Sequence, residues 1–143
     1  MGGRQPHRGE PQLKSAARRG QVKGAAGEPP ARHWAEELAE RALLAKGYTL
    51  LKRNYRLRGG EIDLVLRAPD ATVVFVEVRQ RRGSAFGGAA GSISTAKQRR
   101  VRRAAGHYLA TVLRSTDVAV RFDAVLVTGD GPRARISHVE DAF

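Results

Sequence analysis

Two strand-like runs between residues 61 and 82 constrain this chain more than any other stretch. They read Glu-Ile-Asp-Leu-Val-Leu-Arg and, after a turn at 68–71, Val-Val-Phe-Val-Glu-Val-Arg-Gln-Arg-Arg. Each carries a carboxylate where a buried strand would hold only apolar side chains: Asp63 between Ile62 and Leu64, and Glu77 inside Val73–Val78. A carboxylate buried without a partner is costly, so each needs a cation, a metal ion or a proton. Side chains two apart on a strand share a face, so Phe75, Glu77 and Arg79 lie together. A loop of five residues between 67 and 73 sets Asp63 opposite Glu77, whereas a loop of four sends them to opposite faces. We adopt the five-residue loop because it accounts for both charges. Cβ atoms of such opposed residues lie about 5 Å apart, which lets two carboxylates grip one hard cation.

The rest of the chain is organised around this hairpin. Residues 1–30 hold six Lys/Arg against two Glu and almost no large apolar side chains, so they predict a disordered basic tail. Residues 31–143 predict one domain. Residues 31–46 predict a helix stopped by Gly47, with Trp34, Ala35, Leu38, Ala39, Ala42, Leu43 and Ala45 on one face. Glu36 borders that face and Glu37 points to solvent, which makes Glu36 the functional candidate; a solvated helix glutamate is the competing reading. Residues 48–54 predict a strand, 55–60 a loop holding Arg56 and Arg58, and 81–93 a Gly/Ala/Ser-rich loop with Arg81, Arg82 and Phe86.

A second helix is predicted from Thr95, because Thr95 and Gln98 have capping-box spacing. Val101, Ala104, Ala105, Tyr108, Leu109, Val112 and Leu113 form its apolar stripe; Arg99, Arg100, Arg102 and Arg103 lie mostly off it. Lys97 falls in line with the stripe in the first turn, where an ammonium is unfavourable at the positive end of the helix. An anionic neighbour is therefore expected. Strands follow at 118–128 and 133–138, with Asp123 read as a structural partner of Arg121. His33, His107 and His138 are scattered and read as structural or solvated. The order α-β-β-β-α-β-β, with a parallel crossover through the long helix, predicts an α/β domain with a mixed sheet.

The net charge of +12 favours a polyanionic partner, most often nucleic acid. The absence of cysteine excludes disulfides and thiolate metal sites. No apolar run is long enough to cross a bilayer, and the first thirty residues lack the apolar stretch of a secretory signal. The expected location is the cytoplasm, without a membrane partner.

Taken with their spacings, Glu36-x-x-Ala39, Gly59-Gly60-Glu61-Ile62-Asp63-Leu64-Val65, Phe75-Val76-Glu77-Val78-Arg79, Phe86-Gly87-Gly88, Lys97-Gln98 and Arg121-Phe122-Asp123 resemble the YraN family over residues 31–143. That family is similar in fold to restriction endonucleases and Holliday-junction resolvases of the PD-(D/E)xK class, whose core is αβββαβ. The resemblance implies a metal-dependent nuclease acting on DNA, with branched or structured DNA as the substrate suggested by the resolvase likeness. It implies Mg²⁺ or Mn²⁺ held by Asp63 and Glu77 with the Val78 carbonyl, and catalytic roles for Glu36, Asp63, Glu77 and Arg79. Arg79 departs from the class, which has lysine there; arginine stays charged and cannot give up a proton, so the ammonium role passes to Lys97 or is lost. Arg56, Arg58, Arg81, Arg82, Arg99, Arg100, Arg102 and Arg103 are the expected phosphate contacts. The competing functions are a non-catalytic nucleic-acid-binding module on the same fold and an interaction protein whose charge serves solubility or an acidic protein partner.

Overall fold

The computed structural model describes residues 30–81, 93–129 and 131–143. Residues 35–143 form one compact unit. The tail expected over 1–30, and the expected loop with Arg82 and Phe86, fall outside the described residues apart from their boundary positions.

Helix α1 runs Pro30–Ala45, followed by strands β1 (Thr49–Leu57), β2 (Gly60–Arg67) and β3 (Val73–Arg81). Helix α2 runs Thr95–His107, and strands β4 (Val120–Thr128) and β5 (Arg135–Val139) complete the order. The five strands form one sheet in the order β1-β2-β3-β4-β5. Only β3 and β4 pair in parallel; the other neighbours are antiparallel. The αβββαβ core is therefore present, with β5 added at the edge of a mixed sheet. No described helix is long and apolar enough to cross a membrane.

Three local features differ from the sequence expectation. β1 continues through Leu57 instead of stopping at 54, and Arg58 and Gly59 make the turn into β2. Gly59 has φ +79°, a backbone region that favours glycine. Arg56 therefore lies in a strand paired with Glu61, not in a loop. The N-cap of α2 is Ser94 instead of Thr95: its extended backbone lets Oγ accept from the Lys97 amide. Gln98 donates instead to the Ile93 carbonyl. Beyond His107 the helix widens into a π-helical stretch, Tyr108–Leu113, with the Arg114 amide bonding back to the Leu109 carbonyl. The wider turn breaks the 3.6-residue repeat, so Tyr108 stays buried while Val112 turns out to 53% exposure.

One layer of the core lies between the sheet and α2, where Ile62, Val65, Val73 and Phe75 meet Val101, Ala104, Ala105 and Tyr108. Gly60 permits this approach: a Cβ there would sit 2.9 Å from the Arg100 carbonyl oxygen. The opposite face buries Leu64, Leu66, Val74 and Val76. Arg53 sits across from Leu64 and reaches Glu40 of α1, which places α1 on that side. β3 is thus covered on both faces, which explains its almost unbroken apolar run.

A polar network ties β4, β5 and the α1–β1 connection together. Asp123 is fully buried and accepts from Arg121 Nε (2.9 Å) and Nη2 (2.8 Å), from His138 Nε2 (2.8 Å) and from the Asp141 amide (2.9 Å). Arg121 also donates to the Tyr48 hydroxyl at 2.8 Å. Burial alone would push the Asp123 carboxyl up, but the bonds from His138, Arg121 and Asp141 outweigh it and hold it below its ordinary range. The structural role expected of Arg121 and Asp123 is the one observed, and His138 joins it. Asp123→Ala strands buried donors, so it is expected to cost about 3–5 kcal/mol of unfolding free energy. Chemical denaturation measures this, and a loss under about 1 kcal/mol would show that the network contributes little.

Candidate metal centre

The hairpin register settles the geometry of the two carboxylates. Arg67 pairs with Val73, and pairing continues through Leu64 and Val76; one step further along this register lie Asp63 and Glu77. The loop between the strands is the five-residue one. Regular pairing stops at this step on both sides of Asp63. The β2–β3 ladder ends at Leu64, and the β1–β2 ladder passes from Arg53↔Leu64 to Tyr55↔Ile62, skipping Asn54 and Asp63. Asn54 has φ +49°, an uncommon backbone region that suits asparagine better than most residues. Side-chain alternation slips here too, since Ile62 and Val65, three apart, meet in the same layer under α2.

Where the strands part, backbone donors are released. The Val78 amide donates to Asp63 Oδ2 at 2.8 Å. Asp63 is 2% exposed and Glu77 4%. On Glu77, Oε1 receives no hydrogen bond among the described residues, and Oε2 stands 3.6 Å from the Lys97 ammonium. Burial, helped by the charge of Asp63, pushes the Glu77 carboxyl up to about 8. A proton on Glu77 can be shared with Asp63, which raises it further; the charges of Lys97 and Arg79 pull the other way.

Lys97 stands at the third position of α2, and its side chain is 11% exposed. Nζ forms a 2.6 Å bond to Glu61 Oε2 besides the longer contact to Glu77. These carboxylates supply the anionic neighbourhood that offsets the unfavourable end of the helix dipole. Glu61 went unrecognised as Lys97's partner in the sequence. The available signal was its place beside the Gly59-Gly60 turn, two residues before Asp63.

Other expected positions are dispersed. Glu36 is buried at 5% and Glu37 is exposed, as the helix pattern predicts. Glu40, one turn on, is also buried and grips Arg53 with bonds of 2.7 and 2.9 Å; only its i+4 spacing from Glu36 hinted at this. Among the described residues, no group of three or more Asp, Glu or His side chains converges as a metal cage. Arg79 is half-buried; Arg56, Arg58, Arg99, Arg100, Arg102 and Arg103 are exposed. Arg102 lies over the Phe122 ring at 4.8 Å and the Phe143 ring at 5.9 Å, so part of its role is to pack the C-terminus. Arg103 Cδ lies 3.8 Å from the Cβ position of Gly59, which sets it beside the Arg58 turn. Arg81 ends β3, and Arg82 is outside the described residues.

The metal-free protein should show the Glu77 proton as a pH-dependent stability. Below about pH 4.5 Glu77 is protonated both folded and unfolded, and its contribution is fully present. Between 4.5 and 8 the folded chain alone keeps the proton, so stability falls as pH rises, and the loss is complete above about 8. The limiting slope is about 1.4 kcal/mol per pH unit. Melting wild type and Glu77→Gln in EDTA from pH 4 to 9 tests this: the wild type should lose ground to the variant across that window. Parallel curves would mean that Glu77 ionises normally.

The model of the uncharacterised protein family UPF0102 matches residues 35–127. A UPF0102 protein of Cupriavidus taiwanensis is 54% identical over 109 residues, covering 76% of this chain and 79% of the relative. A UPF0102 protein of Nitrosomonas europaea is 50% identical over 109 residues, covering 76% and 89%, and one from an Acidovorax strain is 52% identical over 112 residues, covering 76% and 80%. Asp63, Glu77 and Lys97 all fall inside the matched span, and the chain belongs to the UPF0102, or YraN, family.

Proposed function

We propose that this chain is a metal-dependent nuclease that hydrolyses phosphodiester bonds in DNA, with branched or structured DNA as its substrate. The observation that carries the reading is the buried, opposed pair Asp63 and Glu77 at the point where the ladder opens, with Glu77 Oε1 left without a donor. A stable core would have no use for such an atom. A hard divalent cation fits it, because both residues offer oxygen ligands. The αβββαβ order and the +12 charge support the same reading, as does the likeness to the PD-(D/E)xK class. The cytoplasm is the proposed place of action.

Asp63 and Glu77 are the residues that would hold Mg²⁺ or Mn²⁺. When bound, the cation supplies charge neutralisation at the phosphoryl oxygens and a lowered pKa for water. The protein's own groups do the rest. Lys97 brings a cation from the first turn of α2 toward the scissile phosphate. Arg79, one step along the face from Glu77, neutralises phosphate charge without giving up a proton. Glu36 orients water from α1. Arg56, Arg58, Arg99, Arg100 and Arg103 hold the backbone of the nucleic acid without reading its sequence.

Asp63→Asn separates this from a non-catalytic binding module, which the ion pairs of Lys97 with Glu61 and Glu77 favour. For a metal site, the substitution relieves crowding of two carboxyls, leaving the metal-free melting midpoint unchanged or higher. It also abolishes the rise that Mg²⁺ or Mn²⁺ gives the wild type, together with cleavage of linear and branched DNA. A variant that melts far lower, with no metal response in either protein, would sink the nuclease and leave the binding module standing.

The basic surface is tested by salt. The logarithm of the binding constant for DNA should fall steeply with the logarithm of salt concentration. Replacing Arg99, Arg100 and Arg103 with Gln should flatten the slope by roughly 0.9 per lost phosphate contact. An unchanged slope would assign those arginines to solvation alone.

A further inference from the structure

Two buried side-chain oxygens among the described residues receive no hydrogen bond, Glu77 Oε1 and Asn54 Oδ1. The register sets them in one row of the sheet. Arg53 pairs with Leu64 and Tyr55 with Ile62, so Asn54 of β1 stands across from Asp63. Leu64 pairs with Val76, and one step further along Asp63 stands across from Glu77. Asn54, Asp63 and Glu77 therefore occupy three adjacent strands at a single level, with Asp63 in the middle. Face alternation slips at this level in β1 as it does in β2. Arg53 reaches Glu40 on the α1 side, whereas Tyr55, two residues on, packs in the layer under α2. The left-handed backbone of Asn54, at φ +49°, does not account for its side chain. Glycine takes such a φ at no steric cost, and it would bury no acceptor without a donor, an unfavourable condition.

We propose that Asn54 is a positioning residue of the metal site, its Oδ1 accepting a hydrogen bond from a water carried by the cation that Asp63 and Glu77 hold. The proposal rests on the reading of Asp63 and Glu77 as metal ligands and adds a residue that this reading does not contain. Two carboxylates leave much of the octahedral shell of a small divalent cation to water, which Mg²⁺ gives up reluctantly. Waters held in this way donate hydrogen bonds, and a buried site must face them with acceptors. No third acid converges there among the described residues, and Asn54 Oδ1 is the acceptor in the row that is still unspent. Neighbouring strands lie about 4.8 Å apart, so Asn54 is roughly 10 Å from Glu77 by strand spacing. Across such a span one water links the amide oxygen to the cation more readily than a direct bond of about 2.1 Å does. An amide oxygen also accepts without adding a third negative charge to the crowded pair.

Calorimetric titration of Mn²⁺ tests this without turnover, with melting in EDTA as the control. Asn54→Gly keeps the positive φ and removes the oxygen. Its metal-free melting midpoint should equal or exceed that of the wild type, while Mn²⁺ binds about 10–100-fold more weakly, the usual effect of losing an outer partner of a metal site. Asn54→Asp keeps an acceptor in place and should bind Mn²⁺ at least as tightly as the wild type. A residue chosen for its backbone alone gives another pattern: Asn54→Gly then binds Mn²⁺ as the wild type does, which overturns the proposal. Asn54→Asp binding as weakly as Asn54→Gly overturns it too. If the wild type itself binds no Mn²⁺, the metal-site reading falls and takes the proposal with it, an outcome distinct from the other two. Should Asn54→Gly not fold, the side-chain amide ¹⁵N signal of Asn54 in the wild type decides. Saturating Mg²⁺ should shift it, and Glu77→Gln should abolish the shift; a signal indifferent to Mg²⁺ in a wild type that binds the ion refutes the role of Asn54.

Discussion

Everything at the centre of this molecule depends on neutralising a carboxylate that the sheet has closed over. Glu77 lies on the strand with the most burial on both faces, beside a second buried carboxylate. Glu77 cannot be moved out, because Val76 and Val78 fix its strand against the parallel neighbour. The structure offers a proton, a distant ammonium and the half-buried Arg79. None is a full partner, and a group held in that condition is poised to accept a better one. The first turn of α2, the opening of the β2–β3 ladder and the Gly60 contact that lets α2 sit close are all arranged around it.

The opening of the sheet is itself built from local chemistry. Asn54 takes a left-handed backbone conformation within β1, and the pairs on either side of it, Arg53 with Leu64 and Tyr55 with Ile62, keep one register. Beside it, Asp63 Oδ2 accepts a hydrogen bond from the Val78 amide at 2.8 Å. A regular strand would have spent that amide on cross-strand pairing. Irregular pairing next to a functional site is a common device in β-structures.

How far these features were legible depends on the range of the interaction. The placement of Asp63 against Glu77 was readable because a strand has a period of two and a single loop length decides the register. The same local logic chose Glu36 over Glu37 and turned Lys97 inward. Partners from other elements were not readable in this way. Glu61 meets Lys97 across 36 positions of sequence, and Glu40 meets Arg53 across 13; no periodicity within one element encodes either pair. The end of α2 was missed for a different reason. Val112 fits a 3.6-residue stripe, and only the π-helical widening after His107, a backbone event with no side-chain signature, turns it outward. β1 was read short because Lys52, Arg53, Asn54 and Arg56 are polar, as befits an edge strand that must discourage further pairing. The family resemblance found the right fold and family, but it carried no information about which polar residues hold each other.

The contrast between Asp123 and Glu77 shows why only one of these buried acids points to function. Both sit at nearly complete burial on adjacent, paired strands, so burial alone pushes both toward the neutral form. Around Asp123 the chain converges an arginine, a histidine and a backbone amide, and these bonds lower the carboxyl from its ordinary range. Every lone pair is spoken for, and nothing is left to bind. Around Glu77 the chain brings a second acid instead, and supplies its nearest cation from a helix turn where that cation already prefers another carboxylate. The sheet that satisfies one acid so fully at β4 has the means to satisfy the other at β3 and does not use them. Among the described residues two buried side-chain oxygens lack a hydrogen bond, Asn54 Oδ1 and Glu77 Oε1, and under the function proposed above the second is the one that a cation would occupy.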